Sequence, residues 1–258
     1  METTKLESSS SGSINISEHD SDLRDRLTMT FYTQLAVATL LWKIYYIIIK
    51  KLTTATFKKY TDSSKKLEQA YAQILSMTVS AIALIVCSIY HVPLFLKNYK
   101  NPSSIFNLEI DPAGKYLLMT LFGYFMHDTI WCIQNGWHEI TNYCHHLLSI
   151  SFTFGMLVFN NTQIEAFIPC FMSELSTIPL NIRWFQRMFH GSSSLTMDLV
   201  FMGTFFFGRI IMASYFTYWL SITDGPKMVR YCCYGMDFVN VFWFWKMIKM
   251  LQRRKKTD

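Results

Sequence analysis

Charge is scarce in this sequence. Only 16% of its 258 residues are Asp, Glu, Lys or Arg, against about 25% in an ordinary soluble chain. Apolar residues make up 51% and aromatics 16%. A soluble globule of this size could not hide that much apolar surface, and whole-chain disorder needs the opposite composition. The net charge of +6 does not mark a nucleic-acid binder, because the cations sit in short clusters beside apolar runs. The six cysteines, Cys87, Cys132, Cys144, Cys170, Cys232 and Cys233, fall in apolar stretches with no CxxC spacing. Buried, reduced thiols are expected, with neither a disulfide framework nor a metal site. There is no phosphate-cradling glycine loop, no GxSxG and no HExxH. No permanently bound cofactor is expected. The N-terminus lacks the basic and apolar regions of a signal peptide.

What is present is a series of long apolar runs. Seven are long enough to cross a bilayer as helices, at roughly 27–49, 71–96, 115–134, 143–160, 163–185, 195–220 and 228–250. Turn residues separate them, among them Asn101-Pro102, Asp111-Pro112, the run Gly191 to Ser194, and Asp224-Gly225-Pro226. The expected fold is an all-α polytopic membrane protein of about seven transmembrane helices. Residues 27–250 form one membrane domain, preceded by a polar tail over 1–26 and followed by a basic tail over 251–258. The first tail has seven Ser and six acidic residues against three basic ones.

Lys and Arg orient the chain. The odd-numbered links and the C-terminus share Lys50, Lys51, Lys58, Lys59, Lys65, Lys66, Arg183, Arg187 and the closing Arg253 to Lys256. The opposite side is poorer in cations. By the positive-inside rule the C-terminus is cytosolic and the N-terminus lumenal. Asn15-Ile16-Ser17 is then a lumenal glycosylation sequon. Asn160-Asn161-Thr162 is a second sequon, too close to the membrane to be a good acceptor. Lys255 and Lys256, third and fourth from the C-terminus, resemble a dilysine retrieval signal of the endoplasmic reticulum, read by coat protein rather than acting as an anchor.

Ionisable groups within spans cost at least about 2.5 kcal/mol each on insertion scales and mark function. Here they are Lys43, His127, Asp128, His145, His146, Glu174, Arg209 and Asp237. Lys43 lies near a cytosolic end and can snorkel. The others fall in polar stripes at helical spacing: Tyr124, Asp128, Trp131; His146, Ser149, Thr153; Glu174, Thr177, Asn181; and Cys233, Asp237, Asn240, Phe244. Such inside-out helices surround a shared polar cavity, here open to the cytosol. Arg209 is expected to pair with Glu174 or Asp237, because an unpaired buried charge is costly. An imidazole at such a site can act as nucleophile or base on an activated acyl group, and Asp128 could orient it. Adjacent histidines point about 100° apart on a helix, so only one is expected at a given spot.

The ordered set Tyr124-Phe125-Met126-His127-Asp128, His145-His146-Leu147-Leu148, Ser173 to Trp184, Phe207-Gly208-Arg209-Ile210 and Met236 to Trp243 resembles the TLC (TRAM–Lag–CLN homology) domain over roughly residues 30–250. The resemblance implies a helical bundle of the endoplasmic reticulum that handles fatty-acyl lipids. In its ceramide synthase members six helices form a barrel around an acyl channel. The first histidine of the pair carries the acyl group there, and that residue is His145 in this chain, with His146 as base. The long Lag motif after the histidines, with its paired Asp, is absent, so the resemblance does not imply sphingoid-base acylation. The resulting expectation is acyl transfer from acyl-CoA as co-substrate. His145, His146 and Asp128 are catalytic, and Glu174, Asn181, Arg183, Arg209, Asp237 and Asn240 line the substrate site. Membrane lipids and fatty acyl chains are the expected partners. Two alternatives stay open: a lipid-binding or sorting protein without catalysis, and polar residues that serve only as interhelical glue.

Overall fold

The structure is a computed structural model that describes residues 27–98, 109–137, 139–159, 163–222 and 226–254. The N-terminal tail with Asn15, the residues 255–258 with Lys255 and Lys256, and the sequon at 160–162 lie outside the described residues, while 251–254, expected in the basic tail, continue the last helix. Among the described residues seven helical rods follow one another: α1 (Met29–Phe57), α2 (Ser64–Val86, continued through a π-helical turn at Cys87–His91 into Val92–Asn98), α3 (Pro112–Gln134), α4 (Ile140–Phe159), α5 (Gln163–His190), α6 (Leu195–Phe205, a π-helical turn at Phe206–Met212, then Ala213–Ile222) and α7 (Lys227–Arg254). Each expected span falls within one rod, to within two residues at its ends among the described residues. Among the described residues there is no strand.

The rods begin and end where short-range chemistry dictates. Thr28, Ser63, Asp111 and Ser194 each accept a backbone N–H in the first turn of α1, α2, α3 and α6, relieving donors that the helix itself cannot pair. Pro112 occupies the first turn of α3, where its missing N–H costs nothing. After α5 the chain turns through Gly191, whose φ of 76° suits only glycine well, and its N–H reaches the carbonyl of Arg187.

Six rods close into a ring. α2 packs on α3, α3 on α4, α4 on α7, α7 on α6, α6 on α5, and α5 back on α2. α1 stands outside, laid against α2 and α3. Close approaches hold these seams. A Cβ at Gly123 would come within 2.7 Å of the Ala38 backbone in α1, and one at Gly208 within 2.2 Å of the Met172 carbonyl oxygen in α5.

Large apolar side chains are left on the outside while polar ones are buried beside the apolar core. Phe238 is 76% and Leu147 66% exposed on the outside, while Ser80, Asn181 and Asn240 are at most 1% exposed within. Each large apolar side chain left in water forgoes about 1.5–3 kcal/mol of burial, so the outer surface requires lipid. α2 and α6 are the most apolar rods, with mean hydropathies of 2.2 and 1.6 over their best windows. Expected burial fails at one cysteine: Cys144 faces outward, while Cys87, Cys132 and Cys232 are buried, and all six thiols are free.

Gly208→Ala is expected to destabilise the protein by about 1–3 kcal/mol, since backbone must yield to the new methyl. Gly203→Ala, with nothing within 4 Å of its Cβ position, should be neutral or slightly stabilising. Thermal unfolding in detergent checks both.

Candidate functional site

The ring encloses a cavity of about 550 Å³. It reaches the end of the bundle where α1, α3, α5 and α7 finish. Every rod except α1 lines it: Gln69, Gln73 and Ser76 from α2, Tyr124, Asp128 and Trp131 from α3, His145 and His146 from α4, Glu174, Thr177 and Asn181 from α5, Arg209 from α6 and Trp243 from α7. A second chamber of about 120 Å³ lies deeper, among Ser149, Thr153, Cys170, Thr217, Cys233, Met236, Asp237 and Asn240. Phe125, His145, Glu174 and Arg209 line both chambers and so form the collar between them.

The two histidines are held differently. Nε2 of His146 lies 3.2 Å from Oδ2 of Asp128, and its Nδ1 lies 3.3 Å from Oγ1 of Thr129. Both ring nitrogens are therefore engaged. His145 sits about five residues into α4, some 8 Å from its start, between the rings of Trp243 and Phe125 at 5.2 and 5.6 Å. Its Nδ1 meets Sδ of Met236 at 3.1 Å. A thioether can only accept, so Nδ1 carries the hydrogen and Nε2 presents its lone pair. Among the described residues Nε2 has no hydrogen-bond partner. Both rings border the outer cavity, 5.8 Å apart, although one alone was expected at a given spot. The cavity is wide enough to be lined by two directions of α4 at once.

Arg209 corrects an expectation. Among the described residues no carboxylate lies within ion-pairing distance of it. Its Nε donates to Ser176 Oγ and its Nη2 to Thr177 Oγ1, both at 2.9 Å, and the guanidinium lies over Phe205, 5.5 Å from the ring centre. Hydroxyls and an aromatic face stand in for the carboxylate. Glu174 instead accepts from Ser80 of α2. The π-helical turn carrying Arg209 also loosens the backbone ladder there, and Asn240 donates from Nδ2 to the Arg209 carbonyl at 3.4 Å. Asn181 donates to Ser76 Oγ and to the Thr177 carbonyl. Asp237 lines the inner chamber.

Arg183 borders the outer cavity, but its guanidinium is occupied: Nε pairs with Asp198 at the start of α6, and Nη2 points at Met250 Sδ, 2.8 Å away. Ser193 also donates to Asp198, at 2.8 Å. This buried knot ties the ends of α5, α6 and α7 together. At the rim, Lys246 hydrogen-bonds Glu139 in the link before α4 and holds that carboxyl below its usual range. His127 lies outside the cavity, against the ring of Tyr46 in α1, and Lys43 lies over the same ring at 5.1 Å.

Sequence reasoning missed the wall that α2 supplies. Gln69, Gln73, Ser76 and Ser80 recur at helical spacing, which is the signal that could have found it. Asp198 was hidden because it falls at the start of an apolar run.

The TLC-domain family model (TRAM_LAG1_CLN8, the TLC domain) matches residues 65–249. The chain belongs to the TLC-domain family. The match begins at α2 and ends in α7, so it spans the six-rod ring and leaves α1 outside. No solved structure matches the chain. Membership makes it a membrane protein of lipid metabolism or lipid sensing.

Asp198→Ala leaves Arg183 buried without its partner and should cost about 3–5 kcal/mol. Lys246→Ala breaks a pair whose side chains are each 45% exposed and should cost under about 1 kcal/mol. Denaturation of the two variants in the same detergent compares them.

Proposed function

We propose that this TLC-domain protein transfers a fatty acyl group from acyl-CoA to a lipid acceptor at His145. The reading rests on one observation: among the described residues, Nε2 of His145 is without a hydrogen-bond partner in the collar where a wide polar chamber meets a narrow one. The thioester is presented in the outer chamber, with its tail between the helices. Nε2 attacks the thioester carbon, the carbon–sulfur bond breaks, and the acyl group stays on the imidazole. The departing thiolate takes a proton, and the acceptor's hydroxyl or amine gives one up when it attacks the acyl-imidazole in turn. His146 and Asp128, joined at 3.2 Å, hold and return that proton. Arg209 and Glu174 orient polar groups at the collar; Asn181, Asp237 and Asn240 hold the acceptor side, and Arg183 keeps the mouth in shape.

The cellular setting is part of the same proposal. Lys50, Lys51, Lys65, Lys66, Arg183 and Arg187 gather at the end where the large chamber reaches the surface, which makes that end cytosolic. The N-terminus, with the sequon at Asn15, is then lumenal. Lys255 and Lys256 keep the protein in the endoplasmic reticulum through coat-protein recognition. Replacing both by Ser should move a tagged protein out of that compartment, as seen by fluorescence microscopy.

A second reading, lipid binding without turnover, draws support from Arg209. Only two of the guanidinium's five donors go to hydroxyls, leaving capacity for an anionic headgroup. Intact mass spectrometry separates the two. Incubation of purified protein with acyl-CoA should add one acyl mass, lost in His145→Ala and slow to clear in His146→Ala. Lipid that co-purifies under native conditions but leaves no covalent mass after denaturation would favour binding alone and overturn acyl transfer.

A further inference from the structure

Asp128 and Cys132 stand four residues apart on α3, one turn above each other on the face toward the outer chamber. His146 faces them from α4. A carboxylate oxygen of Asp128, Sγ of Cys132 and a ring nitrogen of His146 all lie within 4.8 Å of one another. All three residues line the cavity, and two of them are buried.

We propose that Asp128, Cys132 and His146 form a divalent metal site for which Zn²⁺ is the best-fitting ion. The proposal rests on the acyl-transfer reading and uses the same chamber; with the ion in place, His146 and Asp128 act as its ligands, and the proton would pass through a water held on the ion instead.

Three features support it. The first is the donor set. One carboxylate, one thiolate and one imidazole match the mixed preferences of zinc, whereas Mg²⁺ and Ca²⁺ want oxygen alone. The second is geometry. Zinc–ligand bonds of about 2.0–2.3 Å place neighbouring tetrahedral ligands roughly 3.3–3.7 Å apart. The 3.2 Å between Nε2 of His146 and Oδ2 of Asp128 is already close to that, and the sulfur, within 4.8 Å of both, needs to close by about 1.5 Å at most. All three side chains line the chamber, which leaves room there for a fourth ligand, as catalytic rather than structural sites have. The other nitrogen of His146 is fixed by Thr129 at 3.3 Å, which is how metal-bound imidazoles are usually oriented. The third is charge. Zn²⁺ with one carboxylate and one thiolate is electrically neutral, which suits a site within a membrane.

No spacing motif revealed the cluster, because two ligands are four residues apart on one helix and the third comes from another. An ion there would lie beside His145, whose ring centre is 5.8 Å from that of His146, and could polarise a carbonyl presented to it.

Co²⁺ is the probe. Titrated into the purified full-length protein, it should bind once per chain with near-ultraviolet thiolate charge-transfer absorption and the visible bands of tetrahedral cobalt. Zn²⁺ should abolish both. Cys132→Ser should lose the charge-transfer band, and Cys144→Ser, altered on the exposed face, should keep it. Thr129→Ala should weaken binding about 10–100-fold while leaving the band's shape unchanged. Absence of the band in wild type, or its persistence in Cys132→Ser, would overturn the site. If Cys132→Ser does not fold, Asp128→Asn takes its place: Co²⁺ affinity equal to wild type overturns the site, and a loss supports it. The spectrum does not depend on acyl transfer. Intact cobalt binding with no acyl adduct would therefore remove the acyl reading alone, and the converse would remove the metal alone.

Discussion

An ionisable side chain in hydrocarbon must find water or a polar neighbour, and this constraint organises the whole bundle. Each of the six ring rods contributes polar or charged groups that lipid would reject. They are accommodated only if every rod turns that face inward, and six faces turned inward enclose a hollow. The apolar remainder of each rod then meets lipid, as Leu147 and Phe238 do. The cavity is thus a consequence of where the sequence puts its few charges. α1 stands outside the ring and supplies none of the cavity lining.

Within that hollow, satisfaction is uneven, and the unevenness carries the functional argument. Asn181, Glu174 and Arg209 each find hydroxyl or carbonyl partners on neighbouring rods. His146 is engaged on both nitrogens. His145 is engaged on one only, and its open side lies at the collar between the chambers. The π-helical turn at Phe206–Met212 bears on the same place. It carries Arg209 to the collar and presents a carbonyl that Asn240 then satisfies. Gly208 in that turn lets α6 approach the backbone of α5 closely enough for Arg209 to reach Ser176 and Thr177.

Much of this was legible beforehand. The seven spans, the inward stripes on α3, α4, α5 and α7, and the meeting of Asp128 with one histidine, His146, follow from hydropathy and helical periodicity. The ring order α2, α3, α4, α7, α6, α5 does not, since it sets α4 beside α7 and α5 beside α2, and sequence proximity predicts neither. The partner of Arg209 was misjudged for a related reason. Charge complementarity named Glu174 and Asp237, but the rotation of α6 through its π-helical turn aims the guanidinium at hydroxyls. Cys144 was expected to be buried because its surroundings are apolar, yet in lipid an apolar neighbourhood is equally the mark of an outer face. The three-residue cluster of Asp128, Cys132 and His146 depends on two helices meeting in register, which no linear spacing records.

The account depends on a water-filled interior, and thiol chemistry tests that directly. In a cysteine-free protein reconstituted in nanodiscs, Gln73→Cys and Ser76→Cys would be exposed to a charged methanethiosulfonate reagent beside Leu147→Cys. Both cavity positions should react quickly, because they face water, and Leu147→Cys should react slowly, because it faces lipid. Fast labelling of Leu147→Cys with slow labelling of Gln73→Cys and Ser76→Cys would contradict the inward-facing arrangement.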